Sequence, residues 1–151
     1  MINMKNYLLP LLLFVVTPLI STQALAQNPE PVLSALDVSH FIETFQPIFN
    51  DLVEIDGPYA SHLDDVGYMK QFLNESPQFK AIITKYGWTA DFPEKFFAIQ
   101  IAYGALMNEK DVLEGLPPGQ EQMAKQMLAE QRSMVEQAVN AQDIYVVEQQ
   151  L

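Results

Sequence analysis

The sequence of 151 residues contains no cysteine. This absence excludes disulfide bonds, thiolate metal sites, a cysteine nucleophile and a lipid anchor attached through cysteine. Basic residues are also scarce, since 8 Lys and Arg stand against 19 Asp and Glu. Phosphates are bound by basic patches that displace their counterions, so neither nucleic acid nor an anionic membrane surface is an expected partner.

The longest apolar run lies near the N-terminus and predicts a secretory signal peptide. Lys5 supplies a positive charge, Leu8–Ile20 is a 13-residue apolar stretch, and Ala24-Leu25-Ala26 is typical of a cleavage site. At about 1.5 Å per residue the stretch is too short to cross about 30 Å of hydrocarbon, although an uncleaved anchor is the competing interpretation. We therefore expect residues 1–26 to be removed, which leaves no stable membrane anchor.

Cleavage makes the chain more acidic. Lys5 is the one charged residue of the signal peptide, so the mature chain keeps 7 basic and 19 acidic residues and a net charge of −12. Small secreted eukaryotic domains usually depend on disulfides, whereas a chain of this length can bury enough surface without them. The missing cysteines thus favour the bacterial periplasm, with secretion as the broader possibility.

Helical periodicity runs through the mature chain, and no strand–turn–strand pattern interrupts it. We predict a flexible lead-in at 27–33, a single helical domain at 34–141, and a C-terminal tail or helix extension at 142–151. The fold class is all-α, a compact bundle of five or six helices. Its central buried helix is expected near 92–108, and a long amphipathic helix near 120–141.

Local capping signals mark several helix ends. Ser34 and Asp37 form an S-x-x-D capping box, and Ser76-Pro77 places a cap residue before a proline at the first helical position. Gly87 is the expected left-handed stop of the helix that follows. Asp91 and Glu94 predict a second capping box around Phe92-Pro93.

Catalytic and metal-binding patterns are weak. Ser61, His62 and Asp64 contain the three residue types of a hydrolase triad, but sequence neighbours rarely meet as a triad, and no Gly-x-Ser-x-Gly elbow exists. We therefore expect no catalytic residue and no enzyme activity. The sequence offers three sets of metal-ligand types: His62 with Asp64 and Asp65, His40 with Glu43, and, for calcium, Asp56 with Asp64 and Asp65. Helix capping by Asp64 or Asp65 is the simpler interpretation, and no metal or other cofactor is predicted.

Methionines recur along the last long helix. Met123, Met127 and Met134 follow helical spacing, which suits a core face because methionine fills irregular gaps. The same spacing also suits an exposed, adaptable binding surface. A copper(I) site is the third interpretation, but copper-handling segments usually carry denser Met and His clusters.

Two functions remain open from the sequence. The first is a non-enzymatic interaction protein, such as a chaperone, adaptor or inhibitor, which predicts exposed side chains among Met123, Met127, Met134 and Val135. The second is a carrier of a small apolar ligand, which predicts a cavity of a few hundred Å³ between helices. The candidate lining residues of that cavity are Phe72, Phe79, Trp88, Phe97 and Tyr103. Candidate partner- or ligand-binding residues are thus Trp88, Phe97, Tyr103, Met123, Met127 and Met134.

Four features carry a resemblance: the signal peptide, Asp37–Phe45 (DVSHFIETF), Tyr86-Gly87-Trp88, and the helix of aromatic and small residues through Phe96–Leu106. In this pattern the chain resembles the small exported α-helical proteins of unknown function from Gram-negative bacteria. The resemblance implies a helical fold and export, and it carries no activity and no catalytic residues.

Overall fold

The computed structural model describes residues 29–151, so the predicted signal peptide lies outside the described residues. The described part contains six α-helices, one 3₁₀ turn and no strand, which confirms the predicted all-α bundle. In chain order the elements are α1 (Ala35–Glu54), the 3₁₀ turn (Ala60–His62), α2 (Val66–Glu75), α3 (Pro77–Lys85), α4 (Phe92–Glu114), α5 (Glu121–Ala138) and α6 (Ala141–Glu148).

Three of the predicted helix boundaries are present in the structure, two of them formed by side-chain hydrogen bonds. At the start of α1, the Asp37 amide donates to Ser34 Oγ while the Ser34 amide donates to the Asp37 carboxylate, which completes the capping box. Ser76 Oγ accepts from the Phe79 amide and caps α3. Gly87 ends α3 with a φ of 81°, a left-handed conformation that glycine adopts without steric penalty.

The predicted capping box at the start of α4 is wrong. Asp91 makes no side-chain cap to α4. Its carboxylate instead accepts a hydrogen bond from Thr89 Oγ1 and forms an ion pair with Lys95. Glu94 is drawn away as well, because its carboxylate pairs with Lys70 at 2.6 Å. Both carboxylates thus bind other side chains instead of the backbone amides at this helix end.

Helix α4 runs through the centre of the bundle. Its buried side chains all lie between Phe92 and Ala102, and beyond Ala102 no residue of α4 is fully buried. The small side chains of Ala98 and Ala102 are buried, and the most extensive helix–helix interface of the described residues is that of α4 with α6. Small residues allow such a close approach of two helix backbones.

The lead-in and the last helix are joined by side-chain hydrogen bonds. Val139 has an extended conformation (φ −136°, ψ 137°), which separates α5 from α6. The buried carboxylate of Asp143 accepts hydrogen bonds from the amides of Val32 at 3.0 Å and Leu33 at 2.8 Å. These bonds hold the lead-in against the start of α6.

A partly buried ion cluster links α1 to α4. Lys95 Nζ lies 2.8 Å from Asp37 and 2.9 Å from Asp91. Burial by itself raises the pKa of the Asp37 carboxyl, but hydrogen bonds from Lys95 and Ser34 outweigh it and hold this pKa below its usual value. Hydrogen bonds from Thr89 and Lys95 likewise lower the pKa of Asp91.

We expect a Lys95→Met variant to lose about 1 kcal/mol of stability at neutral pH. A carboxylate whose folded pKa is depressed stabilises the fold above its unfolded pKa of about 3.9, and this contribution disappears as the pH falls through the folded pKa. The difference between variant and wild type should therefore be constant above about pH 5 and shrink below about pH 4. Urea unfolding across this pH range measures it, with Lys80→Met as the control that removes the same charge. A difference independent of pH would contradict this account.

Candidate interaction surface

Helix α5 packs by one side, and that side faces α4. Its only fully buried residue is Ala124, and α4 is the one helix of the described residues with which it shares an extensive interface. Two polar contacts join α5 to α4: Asn108 Nδ2 donates to Gln131 Oε1 at 2.9 Å, and Arg132 lies 3.4 Å from Glu109. Most of the circumference of α5 is therefore left uncovered.

Three methionines stand on the uncovered side of α5, and we call Met123, Met127 and Met134 the methionine face. Their exposed fractions are 70%, 53% and 50%. They lie at positions i, i+4 and i+11, so they form one stripe along the helix. The sequence left open whether these side chains lie in the core or at the surface, and the structure places them at the surface.

The geometry of the helix explains the placement. Each methionine of the face directly precedes a residue that packs inward: Ala124 is buried, and Leu128 and Val135 are half-buried. Successive residues of an α-helix are about 100° apart, so a stripe one position before the packed stripe points sideways into solvent. Val135, the fourth residue predicted to be exposed, packs against the core.

The two other methionines between residues 29 and 151 are less exposed. Met69 in α2 is fully buried, and Met107 in α4 is half-buried. The exposed methionines of the described residues therefore all lie on α5. Exposed apolar side chains elsewhere, such as Leu36 and Val53 on α1, belong to different residue types.

Trp88 lies in the core, away from the methionine face. It is 5% exposed, and its ring packs at 4.9 Å from His40 and 5.4 Å from Phe92. Its indole N–H donates to Thr44 Oγ1 at 3.0 Å, which satisfies the polar atom that a buried tryptophan must pair. The surroundings of Trp88 are thus those of a core residue.

Phe97 and Tyr103 are half-buried on α4. Phe97 lines a cleft of about 150 Å³ between the lead-in, α4 and the junction of α5 and α6. Burial raises the pKa of the Tyr103 phenol, and the nearby negative charge of Asp111 adds to that rise. Phe97 is the only one of the five predicted cavity-lining residues that borders this cleft. Tyr103 does not border it. The remaining three pack against other aromatic rings: Phe72, Phe79 and Trp88.

Two of the candidate metal ligands, Asp65 and His62, have other contacts. Asp65 caps α2 by accepting from the Tyr68 amide at 3.0 Å, and the His62 ring lies 4.5 Å from the Tyr68 ring. Between residues 29 and 151, no three His, Asp or Glu side chains lie close enough together to hold a metal ion. Asp56, Asp64 and Asp65 accordingly do not form a cation site in this part of the chain.

One residue of the surface was not singled out from the sequence. Glu130 is exposed and lies three residues after Met127 and four before Met134, so it stands within the methionine stripe. The helical spacing alone contained this signal, but it becomes informative only once the methionines are known to be exposed. Glu130 gives the methionine face a negative charge.

Among the described helices, none has both the length and the apolar character needed to cross a bilayer. No protein-family model, curated protein or solved structure matches the chain. The candidate surface is therefore defined by the geometry of this protein alone.

Proposed function

We propose that this protein is an exported, non-enzymatic interaction module that binds a partner protein through the methionine face. A chaperone, an adaptor or an inhibitor would each work in this way. The observation that carries the proposal is the exposure of Met123, Met127 and Met134 on one side of a helix that packs only by its other side.

The chemistry of methionine supports a binding role. Burial of apolar surface is favourable by about 25 cal/mol per Å², so a stripe of half- to mostly exposed thioethers gains free energy when a partner covers it. The side chain is unbranched, flexible and polarisable, and it adapts to partners of different shape. A stripe of this kind is suited to recognising apolar side chains without a rigid pocket.

The N-terminal sequence supports the location. Lys5, Leu8–Ile20 and the Ala24-Leu25-Ala26 site predict export through the general secretory route, and the absence of cysteine favours the periplasm of a Gram-negative bacterium. The net charge of −12 that remains after cleavage keeps the mature chain apart from polyanions.

The alternative proposal is a carrier of a small apolar ligand. Its support is the cleft that Phe97 borders, with a largely apolar wall formed also by Val32, Val66 and Ala98. The volume of about 150 Å³ is below the range of about 300–1,000 Å³ that is usual for ligand pockets. The interaction proposal is therefore the stronger of the two.

We expect the mature protein, released gently from the periplasm of the producing bacterium, to carry a bound partner in native mass spectrometry. A Met123→Gln/Met127→Gln/Met134→Gln variant should give the mass of the bare chain, because it removes the apolar stripe and keeps side-chain length and helix propensity. The matched control is Leu36→Gln/Val53→Gln, which removes exposed apolar side chains from α1 and should retain the partner.

The same samples test the other parts of the proposal. Under denaturing conditions the mass should correspond to Gln27–Leu151, and an intact N-terminus would contradict export with cleavage. A bound surplus of a few hundred daltons would favour the carrier. Equal partner masses for the wild type and both variants would show that the methionine face is not the binding surface.

A further inference from the structure

Most carboxylates of the described residues have no cationic partner. Of the 7 basic side chains, five are already engaged in ion pairs, and these pairs involve seven carboxylates, which leaves twelve of the 19 acidic residues without a cationic partner between residues 29 and 151. The paired cations are Lys70, Lys85, Lys95, Lys110 and Arg132.

The same imbalance holds at the methionine face itself. Glu130 stands between Met127 and Met134 on the stripe and forms no ion pair with any described residue. The two cations of α5 do not compensate for it. Lys125 is two residues from Met127, a spacing at which helical side chains do not face each other. Arg132 is held by Glu109 at 3.4 Å and Glu136 at 3.6 Å.

We propose that the partner of the methionine face is a basic amphipathic helix of another protein, with an apolar side that covers the methionines and Lys or Arg beside it. This inference rests on the proposed function. An apolar stripe with helical spacing is complementary to another helix that offers apolar residues at i, i+3, i+4 and i+7. Cationic residues on that helix would meet Glu130 and a chain of strongly negative net charge, which speeds association and selects against acidic partners.

The net negative charge of the chain also argues against a second copy of this protein, or an anionic lipid surface, as the partner of the methionine face. A second copy would bring together two chains that each carry a net charge of −12 and would place two copies of Glu130 near one interface. Anionic lipid headgroups would be repelled in the same way. A basic protein segment is the occupant for which both the apolar stripe and the charge are favourable.

The test uses synthetic peptides and the mature protein. The first peptide is an amphipathic helix of leucine and lysine, the second carries glutamate in place of every lysine, and the third is a scrambled leucine–lysine sequence without an apolar side. In calorimetric titration we expect the leucine–lysine helix to bind at least about ten-fold more tightly than either of the others, and to weaken as salt is raised.

Variants locate the binding. Glu130→Gln should weaken the leucine–lysine helix about three-fold, mainly through its association rate. The triple methionine-to-glutamine variant should weaken it at least about ten-fold, and Leu36→Gln/Val53→Gln should bind as the wild type does. Fluorescence of the single tryptophan, Trp88, verifies that each variant is folded.

Each contrary result has a separate meaning. Equal binding of the leucine–glutamate helix, lost in the triple methionine variant, would overturn the basic partner and leave the methionine face as a binding surface. Tight binding of the scrambled peptide, or no binding of the leucine–lysine helix, would also overturn the basic amphipathic partner. Unchanged binding of the leucine–lysine helix to the triple methionine variant would overturn the partner and the proposed surface together.

Discussion

Replacing Phe96 with alanine is expected to lower the free energy of unfolding by about 3–5 kcal/mol. Phe96 is fully buried on α4, and its ring lies 5.2 Å from Phe41, 5.0 Å from Phe92 and 5.8 Å from Phe45. The substitution removes apolar burial, opens a cavity among rings that cannot fully collapse into it, and breaks aromatic contacts between α1 and α4. This loss is a large part of the 5–15 kcal/mol that is typical of a domain.

Urea unfolding followed by the fluorescence of Trp88 measures this loss, because the indole is buried in the folded protein and becomes solvated on unfolding. Leu113→Ala is the control on the same helix, since Leu113 is 43% exposed and should lose about 1 kcal/mol or less. Similar losses for the two variants would mean that the part of α4 around Phe96 is not the centre of the core.

Replacing Asp143 with alanine is expected to lower stability by about 2–4 kcal/mol. The Asp143 carboxylate is 1% exposed and accepts from the backbone amides of Val32 and Leu33. Without it, two amides lose their acceptor, and α6 loses a negative charge in its first turn, where the helix dipole favours one. The loss should therefore appear in the lead-in as well as in α6.

Hydrogen exchange distinguishes this local effect from general destabilisation. The Val32 and Leu33 amides should exchange much faster in Asp143→Ala than in the wild type, while amides at the centre of α4 should follow only the change in global stability. Glu148→Gln removes the same charge from the exposed end of α6 and should leave both amides protected. Unchanged exchange at Val32 and Leu33 in Asp143→Ala would contradict the contact.

The elements that sequence reasoning predicted best are those fixed by residues close together in the chain. The capping box of Ser34 and Asp37, the Ser76-Pro77 start and the Gly87 stop all involve groups within a few residues of one another. Asp91 shows where this reasoning failed. Its side chain had a choice between its own helix end and partners on neighbouring residues, and the sequence does not give the relative strength of these contacts.

Contacts between distant segments could not be predicted in the same way. The bonds from the lead-in to Asp143 join residues about 110 positions apart, and nothing local marks Asp143 as an acceptor for them. The methionines of α5 illustrate a second limit. Met127 and Leu128 are both apolar and adjacent, so periodicity alone does not tell which of the two packs inward, and α4 covers only about one side of the helix.

The most direct test of the central claim is the NMR spectrum of the methionine methyl groups. Labelling with carbon-13 methionine gives a chain expressed from Gln27 five methyl signals from its own methionines: Met69, Met107 and the three of the methionine face. An unlabelled extract of the cells that produce the protein is silent in this experiment, so it can serve directly as the titrant. The buried Met69 provides an internal reference for general effects on the protein.

The account predicts that the signals of Met123, Met127 and Met134 change chemical shift on addition of the extract while the Met69 signal keeps its position. The shifts should disappear after the extract is digested with a protease, because the proposed partner is a protein. Unchanged positions for all three signals, or equal changes at Met69, would contradict the methionine face as the binding surface of this protein.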